Sequence, residues 1–345
     1  MKLRHVQDRG LYSDVIATGC QKSVKIKDLD FRVPCGKCMH CQKKRRSDWS
    51  LRLEDEYYSS DSAYFVTLTY NDYSIPYTPD MQQTLYKKHV QDYIKRLRNA
   101  QVKLVKEMYK CTAKETLKYI KPIRYYAVGE YGSKTQRPHY HILLFNLETS
   151  LQHEITNQWI NKKTQYPLGH VDVGSVSGAS INYVTKYMFK PFDPDDQRTR
   201  PFSLMSKGRR LSDEKKREGY KEFGILGFSY LNNYGEWHYQ NKQLTRADYN
   251  GKLRRLPRAY LRRIFSKDEE IYNQHTKQME MARVPDKELI RKLSEENYFE
   301  FLEKKLDQHE KILEKYYNNN KLHYNQSKTA DYYRQLEVIN AKEVL

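Results

Sequence analysis

Residues 139–145 read HYHILLF, and Ile142, Leu143, Leu144 and Phe145 follow one another without a polar break. A run of this length is long enough for a buried strand and too short for an ordinary helix. Two imidazoles stand at its mouth. Side chains alternate along a strand, so His139 and His141 share one face and Tyr140 takes the other. Imidazoles spaced in this way can share a cation, although two polar residues at a strand end give the same pattern. A third donor strengthens the metal reading. Glu130 closes the preceding apolar stretch, nine residues before His139, and a hairpin through YGSKTQRP would return it beside the pair. Two histidines and one carboxylate leave coordination positions open for water and a phosphate oxygen, which Mg²⁺ or Mn²⁺ accepts. Zinc also suits such a set.

The neighbouring segments supply a fold for this strand. AYFVTLTYND, residues 63–72, is β-branched and aromatic and ends in an Asn-Asp turn. Asp80 then reads as an N-cap of a helix on which Tyr86, Val90, Tyr93, Ile94 and Leu97 recur at helical spacing. Residues 123–130 read as a strand, 151–163 as a helix and 170–176 as a short strand. A helix over 178–190 is stopped by Pro191. Strands joined by short turns, with helices interspersed and no regular βαβ rhythm, predict an α+β domain: a central antiparallel sheet flanked by helices. Three regions follow. Residues 1–50 are cysteine-rich, 51–265 hold the sheet domain, and 266–345 read as a charged helical extension. In that extension Phe299, Leu302, Leu306, His309, Leu313 and Tyr316 approach heptad spacing.

Residues 182–191, NYVTKYMFKP, form a second constellation. Tyr183, Lys186, Tyr187 and Lys190 fall at i, i+3, i+4 and i+7, one stripe of a helix. Ile181, Val184 and Met188 gather on another face and can supply the packing. Burying the stripe would desolvate two ammonium groups, which is costly. It reads instead as a solvated face, or as tyrosine nucleophiles whose lysines steer a phosphate and stabilise its charge.

Charge points the same way. Lys and Arg number 62 against 43 acidic residues, a net charge of +19, which favours a polyanionic partner and nucleic acid first. Two basic blocks are candidate phosphate contacts: Lys43, Lys44, Arg45 and Arg46, and further on Arg254, Arg255, Arg258, Arg262 and Arg263. The latter also reads as a solvated helix face. Cys35, Cys38 and Cys41 crowd into CGKCMHC. With Cys20 they could make a closed four-sulfur zinc site, with His40 as an alternative ligand and free thiols as the rival reading. No apolar run is long enough to span a bilayer, and MKLRHVQDRG lacks a signal-peptide core. A cytosolic protein is expected. A P-loop motif is absent, so the chain would borrow any helicase.

YFVTLTY, RPHYHILLF and YVTKYMFK stand in the order of the three motifs of rolling-circle replication initiators, the HUH endonucleases, and the chain resembles that group. The doubled Y-x-x-K-Y-x-x-K is similar to the two-tyrosine branch, especially the initiators of microviruses. VPCGKCMHCQKKRRSDW, RPFSLMSKG and LPRAYLRRIF resemble gokushovirus-like members, so the likeness covers roughly residues 20–265. It implies an HUH/Rep-type nuclease fold, with Tyr183 and Tyr187 as nucleophiles and Lys186 and Lys190 as the motif lysines. His139 and His141 would be the metal pair and Glu130 the third ligand. Tyr140 departs from the aliphatic residue common between the histidines. The implied activity is to nick a phage origin, hold the 5′ end as a phosphotyrosine, free a 3′-hydroxyl for synthesis and rejoin the product strand. The implied partners are single-stranded DNA, double-stranded origin DNA, and a host helicase and polymerase in the cytoplasm of a bacterium. Rival readings are an HUH transposase or relaxase, and a zinc-dependent nucleic-acid-binding protein without catalysis.

Overall fold

The computed structural model describes residue 20 and residues 24–25, 32–186, 193, 195–208, 217, 224–273 and 278–294. Tyr187, Met188, Lys190 and the series from Phe299 to Tyr316 lie outside the described residues. The chain divides into two compact units, one of residues 45–237 and 247–257, the other of the remainder.

The first unit is built on five strands: β1 (Ala63–Thr69), β2 (Arg124–Tyr131), β3 (Pro138–Phe145), β4 (Val171–Ser175) and β5 (Phe202–Met205). Their order is β4-β1-β3-β2-β5, antiparallel throughout. This is the α+β architecture expected from the sequence. HYHILLF is its middle strand, buried from both faces, which is why it carries an unbroken apolar run. β2 and β3 form a hairpin through residues 132–137, tightened by Gly132 N–H to Arg137 O (3.0 Å) and by Gln136 at φ 53°.

Helices α1 (Met39–Ser59), α2 (Lys87–Tyr109) and α3 (Gly178–Lys186) supply the covering layers. Val90, Tyr93, Ile94 and Leu97 of α2 pack with Val66, Leu68, Tyr140, Ile142 and Leu144 on one face of the sheet. On the opposite face Leu53 of α1 and Ile181 and Val184 of α3 pack with Tyr126, Val128, Leu143 and Phe145. That face also buries charge. Glu56 pairs with Arg124 at 2.5 Å, both side chains almost wholly buried. Glu56 Oε2 also accepts Gly227 N–H at 2.7 Å. At the sheet edge Gly169 lies so close to β1 that a Cβ would meet Thr69 O at 2.0 Å, so only glycine fits there.

Three local expectations change. Asp80 caps no helix. It accepts Gln82 Nε2 at 2.7 Å in a loop closed by the Tyr77–Gln83 bridge, and α2 begins at Lys87 after Tyr86. The helix expected over 151–163 shrinks to a 3-10 turn and Glu154–Asn157, because Ile160 bridges Pro167. Third, the charged extension opens as a hairpin, with β6 (Ser266–Asn273) paired to β7 (Gln278–Pro285). Asp268 faces Arg283 in that register, a cross-strand pairing of opposite charges that helical spacing does not reveal.

The second unit holds this hairpin, a two-residue ladder of Val24–Lys25 with Arg32–Val33, and the cysteine cluster. The helix Arg258–Ile264, also in this unit, buries Tyr260, Leu261 and Ile264. No helix among the described residues is long and apolar enough to cross a membrane.

Candidate active site

The β2–β3 register makes Glu130 and His139 direct partners, while His141 pairs with Thr67 of β1 on the other side. All four side chains therefore occupy one face, as strand alternation requires. Glu130 Oε1 lies 3.1 Å from His139 Nε2 and 3.3 Å from His141 Nε2. Glu130 is 1% exposed and His141 6%, whereas His139 lies nearer solvent.

The outer contacts decide which nitrogens carry protons. His139 Nδ1 sits 3.1 Å from Arg137 O, and a carbonyl oxygen only accepts. Nδ1 must then be the N–H, which leaves Nε2 as a lone pair aimed at Glu130. His141 Nδ1 lies 3.1 Å from Thr67 Oγ1, a contact that suits the same tautomer. Two imidazole lone pairs and a carboxylate oxygen then converge, the arrangement that a cation satisfies. Adjacent ligands lie about 3.0 Å apart around an octahedral ion with bonds near 2.1 Å and about 3.4 Å apart around a tetrahedral one. The observed separations suit either geometry.

α3 lies against this face. Its first turn is closed by two serines: Ser180 N–H donates to Ser177 Oγ (3.3 Å) and Ser177 N–H to Ser180 Oγ (2.8 Å), a reciprocal cap. Ile181 and Val184 are buried, while Tyr183, 40% exposed, and Lys186 stay on the open side. The Tyr183 hydroxyl reaches to 3.5 Å from His141 Nε2, and its ring stands edge-on to the imidazole, centroids 5.0 Å apart. Phe65 of β1 stacks along His141, centroids 5.7 Å apart at 12°. From α1, Ser50 Oγ donates to Asn182 Oδ1 (3.1 Å) and Arg46 to Asn182 O (3.3 Å), fixing the residue beside Tyr183.

Four of the residues singled out in the sequence, Glu130, His139, His141 and Tyr183, thus meet in one place, with Lys186 on the same open side. Thr67, Phe65, Arg137 and Asn182 complete it and were not singled out. The signal for Thr67 was present, since the period-two pattern of TLT puts it on the face of whatever pairs with His141.

The other candidates lie apart from this centre. Cys20, Cys35, Cys38 and Cys41 form a second cluster of metal-ligand type, and exposed His40 is not part of it. Backbone N–H donors from Cys38 and Lys37 hold the Cys35 thiol down to about 6, whereas burial pushes Cys41 up to about 12. Lys43, Lys44 and Arg45 are exposed on α1, as are Arg258, Arg262 and Arg263 on their own helix. Arg254 turns inward, bonding Ser47 O (2.9 Å) and pairing with Glu54 and Asp248 at 3.6 Å. Burial lowers the pKa of Arg255, against the opposing charge of Asp48.

Residues 63–192 match the family model of the phage replication-associated protein ORF2. That stretch spans β1 to α3 and contains every group of the centre. It is a replication-associated domain of the ORF2 family. Around it the chain is similar to curated phage proteins. It is 31% identical over 214 residues to replication-associated protein ORF2 of Spiroplasma virus 4, covering 56% of this chain and 61% of that protein. It is 25% identical over 253 residues to replication-associated protein VP4 of Bdellovibrio phage phiMH2K, covering 68% and 76%. A third relative, replication-associated protein ORF4 of Chlamydia phage 1, is 25% identical over 262 residues, covering 71% and 57%. The chain thus spans less than two thirds of the length of the first and third of these relatives. These matches support the microvirus-like resemblance drawn from the motifs. No solved structure matches the chain.

Proposed function

We propose that the ORF2-type domain acts in the replication of a small phage genome as a metal-dependent endonuclease that nicks and rejoins one DNA strand. The observation that carries this reading is the Tyr183 hydroxyl standing 3.5 Å from a histidine whose ring also faces Glu130. A nucleophile and a cation-type donor set then act on one phosphodiester. Glu130, His139 and His141 would hold Mg²⁺ or Mn²⁺, which when bound polarises the phosphoryl group and offsets its charge.

Tyr183 attacks phosphorus. A Tyr Oη–P bond forms, the bond from phosphorus to the 3′ oxygen breaks, and the tyrosine's proton in net terms ends on the departing 3′-hydroxyl. The 5′ end stays on the protein as a phosphotyrosine, which conserves the phosphodiester bond for later rejoining. Thr67 and the Arg137 carbonyl hold the two imidazoles in the required tautomer, and Lys186 offers its ammonium to the substrate's charge. Tyr187 and Lys190 follow by sequence as the second nucleophile and its lysine. Lys43, Lys44, Arg45, Arg46, Arg258, Arg262 and Arg263 would neutralise flanking phosphates. A helicase and polymerase would come from the host.

The test is a labelled single-stranded origin DNA incubated with protein and Mn²⁺ or Mg²⁺, then resolved under denaturing conditions. A 5′ end attached to protein, lost in a Tyr183→Phe/Tyr187→Phe double variant and in His139→Ala, is the expected result. DNA binding with no adduct under either metal would overturn the enzyme and leave a binding protein.

A further inference from the structure

Cys20, Cys35, Cys38 and Cys41 have no part in the chemistry above, yet their Sγ atoms all lie within 4.8 Å of one another. The separations select among the states open to four close thiols. Cys20 Sγ to Cys38 Sγ is 3.7 Å and Cys35 Sγ to Cys41 Sγ is 4.0 Å, whereas a disulfide closes to about 2.05 Å. An iron–sulfur cluster gives different cysteines to different irons, and so spreads the sulfurs wider than a single ion does. A tetrahedral zinc with Zn–S bonds of about 2.3 Å sets its sulfurs roughly 3.8 Å apart. The two separations fall on either side of that edge length.

The backbone is arranged for thiolates. Cys35 N–H donates to Cys20 Sγ at 3.2 Å, and the N–H groups of Lys37 and Cys38 donate to Cys35 Sγ at 3.4 and 3.3 Å. Gly36, at φ 73°, makes the tight turn that brings Cys35 and Cys38 to one point. Cys41 sits in the first turn of α1, whose N-terminal dipole favours negative charge. Four thiolates around one Zn²⁺ carry a net charge of −2, and the sequence sets Lys37, Lys43 and Lys44 around them. The strain expected from two short spacings is relieved because the third cysteine enters from a helix and the fourth comes from Cys20, far along the chain.

We propose that Cys20, Cys35, Cys38 and Cys41 bind a single structural Zn²⁺, which ties the chain at Cys20 to the start of α1. All four positions are filled by protein, so the ion has no site for substrate and serves folding. The reading is independent of the nicking chemistry.

The experiment is metal analysis of protein purified without chelator, followed by exchange into Co²⁺. One zinc per chain is expected, and the cobalt form should show both the intense near-ultraviolet thiolate-to-metal band and the visible bands of tetrahedral cobalt. Cys38→Ser should lose both the zinc and the thiolate band. Cys111→Ser and His139→Ala should keep both, which separates this ion from one held by the histidines. If Cys38→Ser does not fold, the wild-type cobalt spectrum still decides the matter. Protein without zinc whose thiols are all free, a disulfide between these cysteines, or stoichiometric iron with sulfide would each overturn the proposal.

Discussion

Glu130 and His139 face each other as a register pair across the β2–β3 ladder, carboxylate oxygen 3.1 Å from imidazole nitrogen. Neither atom has a proton to share once the Arg137 carbonyl holds the other ring nitrogen's N–H. Glu130→Gln keeps the shape and removes the charge. Mn²⁺ affinity, followed by titration calorimetry, should fall by more than the roughly 10–100-fold typical of an outer-sphere partner. An unchanged affinity would place the cation elsewhere.

Thr67 tests the support of the other imidazole. Thr67→Val deletes the oxygen beside His141 Nδ1 while preserving the β-branched shape. Mn²⁺ binding should weaken by about 10–100-fold while the melting temperature barely moves. A loss of fold with no loss of affinity would contradict that role.

Tyr183→Phe removes a hydroxyl from a side chain that is 40% exposed. Stability should stay within about 0.5 kcal/mol, as for other surface changes, and Mn²⁺ affinity should hold. The adduct at this position should vanish, so peptide mapping of the DNA-linked tyrosine would find only Tyr187. An undiminished total adduct would instead show that Tyr183 is not the nucleophile in use.

The Glu56–Arg124 pair supports the layer beneath α1. Glu56→Gln strands a buried guanidinium beside the Gly224 carbonyl. Loss of about 3–5 kcal/mol is expected in urea unfolding. A loss below about 1 kcal/mol would mean the pair is hydrated and dispensable.

His89 gives the pH dependence a sign. Its ring nitrogen lies 2.8 Å from the Tyr70 hydroxyl, and burial lowers its pKa. The folded state therefore resists a proton that the unfolded chain accepts near pH 6.5. Stability is fully present above that value and declines as pH falls from there towards the folded pKa. Urea midpoints for wild type and His89→Asn between pH 7.5 and 5 should converge as pH falls. Parallel curves would remove His89 from the account.

Sequence alone gave the strands well wherever a side-chain period existed. HYHILLF, residues 123–130 and 63–72 are runs whose burial is written in composition, and the Glu130 return followed from hairpin length. Loops fared less well. Asp80 had the chemistry of a cap, but the Tyr77–Gln83 bridge is a tertiary choice that no local rule supplies. Residues 266–285 looked helical because charge is compatible with either structure, and only the cross-strand pairing of Asp268 with Arg283 distinguishes them. Arg254 shows the same limit at the site level. A basic block says nothing about which members turn inward to Glu54.

Tyr140, the bulky residue between the histidines, has a use of its own. Its buried hydroxyl lies 2.8 Å from the Tyr70 hydroxyl and accepts Tyr86 N–H at 2.8 Å, on the α2 side of the sheet. A slip of β3 by one residue would exchange the faces, pressing two imidazoles into the apolar layer and pulling this hydroxyl from both partners. The phenol is a latch that closes in only one alignment of the strand, so the ligand set is checked for correct assembly before any cation arrives.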